Sequence, residues 1–168
     1  MALFCARTIS ASTVPVPSSE IWEILTDPDS LAELTPLIRS IEASGSKWLW
    51  TLNGIAALGM KVEAAFTESM EFIDGRQIVF THDPPKGKKE LAAVEGIYDL
   101  TPAGPKSTDL RVDLTLSVDL PLPRMARPAV ERVILTTMRA TGRQFASNLY
   151  RRLELDPETA EINELSPP

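Results

Sequence analysis

The sequence predicts an α+β fold in which a curved, seven-stranded antiparallel sheet wraps around one long C-terminal helix. Three observations predict it. Between residues 37 and 120, apolar and polar residues alternate with period two in successive runs separated by turn residues. From Met125 to Leu153 that alternation ends and apolar residues recur at helical spacing. Two short amphipathic stretches bounded by prolines follow the first strand and read as helices.

Residues 4–14, FCARTISASTV, are rich in β-branched residues, lack helical periodicity and run into Pro15 and Pro17, so they form the first strand. Ser18 offers an N-cap for the helix SEIWEILT, where Trp22 and Leu25 share a face, and Pro28 stops it. Asp29 or Ser30 caps a second helix, SLAEL, which ends before Pro36. Leu37–Ala43 and Lys47–Leu52 flank a Ser44-Gly45 turn. Met60–Phe72 reads as one long strand, with Met60, Val62, Ala64, Phe66, Met70 and Phe72 on its apolar face. Asp74-Gly75 opens a hairpin into Arg76–Asp83, and Glu90–Leu100 follows the Pro84–Gly87 turn. After Pro102–Pro105 comes Thr108–Leu120, where every second residue from Leu110 to Leu120 is Leu or Val.

The helix starts near Arg124–Arg127, because Pro128 is tolerated only in a first turn. Its inner stripe is Ala126, Val130, Ile134, Thr137, Thr141, Phe145 and Leu149. Gly142 in its middle costs about 1 kcal/mol relative to Ala, so either a neighbour approaches closely there or the helix bends. Residues 1–153 make one domain, and the acidic, proline-bounded residues 154–168 read as a flexible tail.

Composition narrows the function. A formal charge of −6 disfavours a nucleic-acid partner. The single Cys5 allows no internal disulfide and suits a reducing compartment. The start MALFCAR does not read as a signal peptide, and no run approaches the ~18 apolar residues of an integral membrane segment. A cytoplasmic location is therefore the expectation. One histidine and one cysteine build no usual zinc site, so no metal is expected. No P-loop, GxGxxG or GxSxG is present, and no cofactor is expected.

The chain resembles the START-related superfamily, which includes birch-pollen-allergen-like proteins and the polyketide cyclase/dehydrase and lipid-transport family. The residues that carry the resemblance are Ile21-Trp22, Asp27-Pro28 with Leu31, and Pro36, followed by Gly96-Ile97-Tyr98 ahead of the Gly104 turn and Ser107–Leu110 opening the last strand. It covers residues 4–153. It implies a helix-grip fold with a cavity between the long helix and the concave sheet face, often closed by the two short helices. It carries no universal catalytic motif.

The residues themselves lead to the same cavity. A helix about 10 Å across cannot seal so wide a sheet, and large side chains or a ligand must fill the gap. The expected lining is Trp22, Leu34, Trp48, Trp50, Met60, Val62, Phe66, Glu68, Phe80, Tyr98, Val112, Leu114, Val130, Ile134, Thr137, Met138, Thr141 and Phe145. Glu68 stands out, a carboxylate on the apolar face between Phe66 and Met70. Either it serves a ligand or acts as a base with a raised pKa, or a bulge turns it to solvent, or an arginine pairs with it. His82 either meets a ligand or sits at a solvent edge. Tyr98 aims its phenol into the cavity or finds a protein partner. Thr137 and Thr141 either bond back to the preceding turn or present hydroxyls inward. The tryptophans are either pocket wall or plain core.

Three functions fit these features. The first is binding or transport of a small hydrophobic molecule, a lipid, quinone or polyketide-like compound, by a monomer or homodimer. The second is a cyclase/dehydrase-like enzyme with Glu68, His82 or Tyr98 as acid/base groups, which requires at least two of them to converge. The third is a co-chaperone-like interaction module with a solid interior.

Overall fold

The structure, a computed structural model, describes residues 1–53 and 64–168 in full and the backbone alone at 55–57 and 60–62. Its elements run β1 (Ala2–Val14), α1 (Ser18–Leu25), α2 (Pro28–Leu34), β2 (Ile38–Ser44), β3 (Lys47–Leu52), β4 (Ile55–Ala57), β5 (Met60–Val62), β6 (Ala65–Ile73), β7 (Gln77–His82), β8 (Ala92–Gly104), β9 (Ser107–Leu120), α3 (Arg127–Arg152) and β10 (Asn163–Leu165). Eight strands form one open antiparallel sheet in the order β10-β1-β9-β8-β7-β6-β3-β2, wrapped around α3. β4 and β5 form a separate two-stranded ladder.

The architecture is the one expected, with differences in the tail, in the Met60–Phe72 run and at the starts of α1 and α2. The eighth strand comes from the segment expected to be a loose tail: Asn163–Leu165 pairs with Ile9–Ala11 of β1, and Leu155 and Ala160 pack on the core. The open edge of β1 supplies unpaired backbone groups, and Arg139 of α3 holds Glu164 at 2.9 Å. Second, the Met60–Phe72 run is two strands. The two belong to different ladders, β6 paired with β3 in the large sheet and β5 paired with β4 apart from it. Third, α2 begins at Pro28, not Ser30. Asp27 caps it by accepting from the Ser30 amide at 3.0 Å, because proline suits a first helical position. Pro17, not Ser18, stands at the N-cap of α1, with no side-chain cap bond.

Cross-strand register assembles the concave face. One row is Met70–Phe80–Gly96–Leu114–Thr8, and the next is Phe72–Ile78–Tyr98–Val112–Ser10. Two separate apolar clusters hold α3 to this face. The larger joins α1 and α2 (Ile21, Leu25, Leu31, Leu34) to Trp48, Trp50 and Phe66 and to Leu149 and Tyr150 at the C-terminal end of α3. The smaller joins Ala2, Phe4 and Leu120 to Val130 and Ile134 near the helix start.

Two glycines test this arrangement. At Gly96 an added Cβ would collide with the Asp113 carbonyl and lie 2.8 Å from the Phe80 ring, so the residue lets Phe80 lie across β8. At Gly142 a Cβ meets nothing within 4 Å, so neither close approach nor steric demand explains it. Urea denaturation should show Gly96→Ala destabilised by about 1–3 kcal/mol through overpacking. Gly142→Ala should be stabilised by about 1 kcal/mol through helix propensity.

Candidate functional site

Between the two clusters lies a cavity of about 370 Å³, bounded by the concave sheet face and by α3 from Leu135 to Tyr150. Period-two pairing sets its floor: Trp50 and Phe66 from β3 and β6, Glu68 beside them, Phe80 from β7, Val94 and Tyr98 from β8, and Leu110 to Leu116 from β9. Helical spacing sets its roof, with Thr137, Met138, Thr141, Phe145 and Leu149 on one side of α3. The mouth is framed by Arg139, Gly142 and Arg143 of α3 and by Glu164, Leu165 and Pro167 of the C-terminal segment.

Glu68 is 1% exposed. Unbroken register with Trp48 on one side and His82 on the other keeps it on the inner face, so no bulge turns it outward. No arginine pairs with it among the described residues, and its Oε2 has no hydrogen-bond partner. Burial, reinforced by the charge of Glu95, pushes its carboxyl up to about 9. At neutral pH it is an uncharged acid, able both to donate and to accept. Tyr98 packs its ring 5.1 Å from Phe80. Burial, and secondarily the charge of Glu68, raises its phenol above the ordinary value. Trp50 stacks on Phe66 at 6.0 Å and 11°, and its buried Nε1 also lacks a partner.

A second, milder polarity lines the seam between β1 and α3. Thr8, Ser10 and Ser12 face Thr137 and Thr141 across the cavity. Thr136 returns its hydroxyl to the Arg132 carbonyl at 2.8 Å. Thr137 and Thr141 make no such bond among the described residues, which separates them from the back-bonded reading.

Of the lining expected from sequence, Trp50, Phe66, Glu68, Phe80, Tyr98, Val112, Leu114, Thr137, Met138, Thr141 and Phe145 border the cavity. Others do not. Trp22 meets Phe72 edge-on at 6.3 Å, and Trp48 leans on the same ring at 5.7 Å, so both serve the core. Leu34 is buried with α1 and α2. Val130 and Ile134 lie too near the helix start and pack around Phe4. The side chains of Met60 and Val62 lie outside the described residues. Thr8, Ser10, Ser12 and the tail residues were not anticipated. The β1 hydroxyls follow from the alternation Phe4, Ala6, Thr8, Ser10, Ser12, but polar residues give no hydropathy signal; the tail carries none.

His82 is not in the cavity. Its Nε2 lies 2.9 Å from Glu90, whose carboxylate also accepts from the Thr67 amide and hydroxyl, each at 2.8 Å. Burial alone would raise the Glu90 carboxyl, but these three hydrogen bonds outweigh it and hold the group below its usual range. The cluster docks the loop before β8 onto the ends of β6 and β7, a structural task. Of the three acid/base candidates, the cavity brings together Glu68 and Tyr98.

Comparison with known proteins agrees with this geometry. The model of the family described as polyketide cyclase / dehydrase and lipid transport matches residues 6–154. Among solved structures, a conserved protein from Geobacillus kaustophilus superposes with a TM-score of 0.67 at 17% identity, covering 94% of this chain and 99% of that one. A START superfamily protein from Mycobacterium smegmatis gives 0.61 at 21% identity, with coverages of 89% and 98%. The Zhui aromatase/cyclase from a Streptomyces species gives 0.63 at 16% identity, with coverages of 89% and 96%. These likenesses are of fold. A search of curated proteins returned no match.

The buried acid makes a test of the site's polarity. Glu68 ionises near 4.5 in the unfolded chain and near 9 in the folded one. Between those values the folded state binds the extra proton, so this group's contribution to stability falls as pH rises, by about 1.4 kcal/mol per unit. Trp48 and His82 flank it on the neighbouring strands and Tyr98 lies one strand further on, with Glu95 adding charge. Glu68→Gln should therefore exceed the parent in stability by about 3 kcal/mol at pH 7, with the gap closing toward pH 4.5. Urea denaturation across that range reads it, and a gap independent of pH would contradict a neutral Glu68.

Proposed function

Since the chain belongs to the polyketide cyclase/dehydrase and lipid-transport family, we propose that it binds a small hydrophobic molecule in the cavity between α3 and the sheet. The single observation that carries this is the cavity itself: about 370 Å³ with walls of aromatic and aliphatic side chains and only a few polar groups. That combination is the general character of a small-molecule site. It also weighs against the interaction-module reading, whose premise is a solid interior.

Burial of apolar surface supplies the affinity, at roughly 25 cal/mol per Å² removed from water. The helix middle offers entry, because the mouth at Gly142 is bordered by exposed, mutually paired side chains and not by packed core. Among the described residues no helix is long and apolar enough to cross a membrane.

A second reading has its own support, the shared cavity position of Glu68 and Tyr98. A neutral carboxylic acid and a phenol in one cavity can donate protons for dehydration or aldol closure of a polyketone. On that reading the pure protein consumes a β-polyketone offered to it, and Glu68→Gln and Tyr98→Phe abolish turnover. Recovery of the substrate unchanged leaves the binding reading alone.

Native mass spectrometry of the purified protein, with titration by a fluorescent fatty acid and by a quinone, tests the first reading. A co-purifying or saturably bound species is expected. Thr141→Trp, which fills the roof, should weaken binding at least about tenfold while circular dichroism stays unchanged. Absence of any bound species and of any saturable titration would overturn it.

A further inference from the structure

Trp50 and Glu68 stand on adjacent strands as diagonal neighbours, two residue pairs apart in the β3–β6 register, with Trp48↔Glu68 and Trp50↔Phe66 opposite each other. Both belong to the cavity wall. Both are buried, at 7% and 1% exposure, and each carries a polar atom without a hydrogen-bond partner: Nε1 of Trp50 and Oε2 of Glu68. Among the described residues these are the two buried side-chain polar atoms left unsatisfied. Each such group costs stability, on the order of 1–3 kcal/mol, and neither atom is open to water. Two orphans side by side in one wall of an apolar cavity mark a place where something brought in from outside completes the hydrogen bonding.

Their chemistry defines what that is. The indole N–H only donates, whereas an un-ionised carboxyl both donates and accepts. A hydroxyl oxygen can accept from Trp50 and donate to Glu68, and a ketone oxygen can accept from either. A carboxylate could accept from both donors, but it would carry a full charge into a buried wall with no cation of the lining beside it, and that desolvation weighs against it. Of the arginines that border the cavity, Arg139 and Arg143 are engaged by Glu164 of the C-terminal segment, and Arg7 turns with Asp113 to the face of the sheet opposite Thr8 and Leu114. The wall next to the pair is aromatic: Trp50 and Phe66 stack on one another, 11° from parallel, with Phe80 and Tyr98 also lining the cavity, a lining that suits a ring more than a flexible chain.

We propose, resting on the ligand-binding reading above, that Trp50 and Glu68 form a recognition point for an uncharged hydroxyl or ketone oxygen carried on a planar ring system. The pair thus selects neutral, oxygenated ring compounds over fatty acids and over the bare hydrocarbon.

Three probes with one skeleton test it: 2-naphthol, naphthalene and 2-naphthoate, titrated by isothermal calorimetry against the full chain and against Trp50→Phe and Glu68→Met. Phenylalanine keeps the ring and removes the donor. Methionine keeps the length and removes the acid, and relief of a buried carboxyl keeps that variant folded. We expect 2-naphthol to bind about tenfold tighter than the other two, and each variant to bring it within about twofold of naphthalene. Equal binding of naphthol and naphthalene, tightest binding of naphthoate, or a naphthol preference that survives both substitutions would overturn the proposal while leaving the cavity reading intact. If none of the three binds but the fluorescent fatty acid does, the ring class is refuted. If nothing binds at all, the failure belongs to the cavity reading.

Discussion

One helix has to cover the apolar face of an eight-stranded sheet, and the fold follows from how incompletely it does so. Helix α3 is secured near both ends. At its start Val130 and Ile134 meet Phe4, and Glu131 accepts from the Cys5 amide at 3.1 Å. At its end Leu149 and Tyr150 are buried, Asn148 donates to the Leu34 carbonyl at 3.0 Å, and Arg152 reaches Glu33 at 2.5 Å. Between these anchorages the residues from Thr137 to Phe145 stand over open space. The short helices α1 and α2 matter here because they supply both the plug beneath the C-terminal anchorage and a carbonyl that holds it.

The same geometry explains why polar groups survive inside. A carboxyl embedded among Phe66, Met70 and Trp48 would not be retained for stability, since its burial disfavours the charge that gives carboxylates their usual value as partners. Glu90 shows the contrast. It too is hidden, but it is satisfied by Thr67 and His82 and holds a loop in place. Two buried acids in one domain thus stand on opposite sides of the normal ionisation range, one completed by the protein and the other left incomplete.

Much of this was legible in the residues. Alternation gave the strands from Ile38 to Leu120 other than Ile55–Ala57, and the change of period gave α3, because each depends on a repeating pattern of burial. Glu68 announced itself by interrupting such a pattern. What periodicity could not supply was position along an element. Val130 and Ile134 share the stripe of Thr141 and Phe145, but a stripe says which way a side chain points and not which cluster lies beneath it. Trp48 and Trp50 share a face, but only the partner Phe72 decides that the first is core. A change of partner strand leaves no mark on hydropathy, so Met60–Phe72 read as continuous. The three residues of β10 carry too little pattern to signal a strand; their pairing depends on a neighbour distant in sequence.

That last strand has a bearing on how copies of the chain behave together. Without it, the thirteen-residue β1 would end the sheet with a long ladder of open amides and carbonyls. With it, the terminal strand at that side is three residues long and includes Glu164, whose ionic contacts tie it back to the helix. The C-terminal segment therefore acts as a short hem: it stitches down Ile9–Ala11 of that border, while the Cys5 amide is taken up by Glu131 of the helix, so the remaining open backbone is broken into pieces shorter than the full strand.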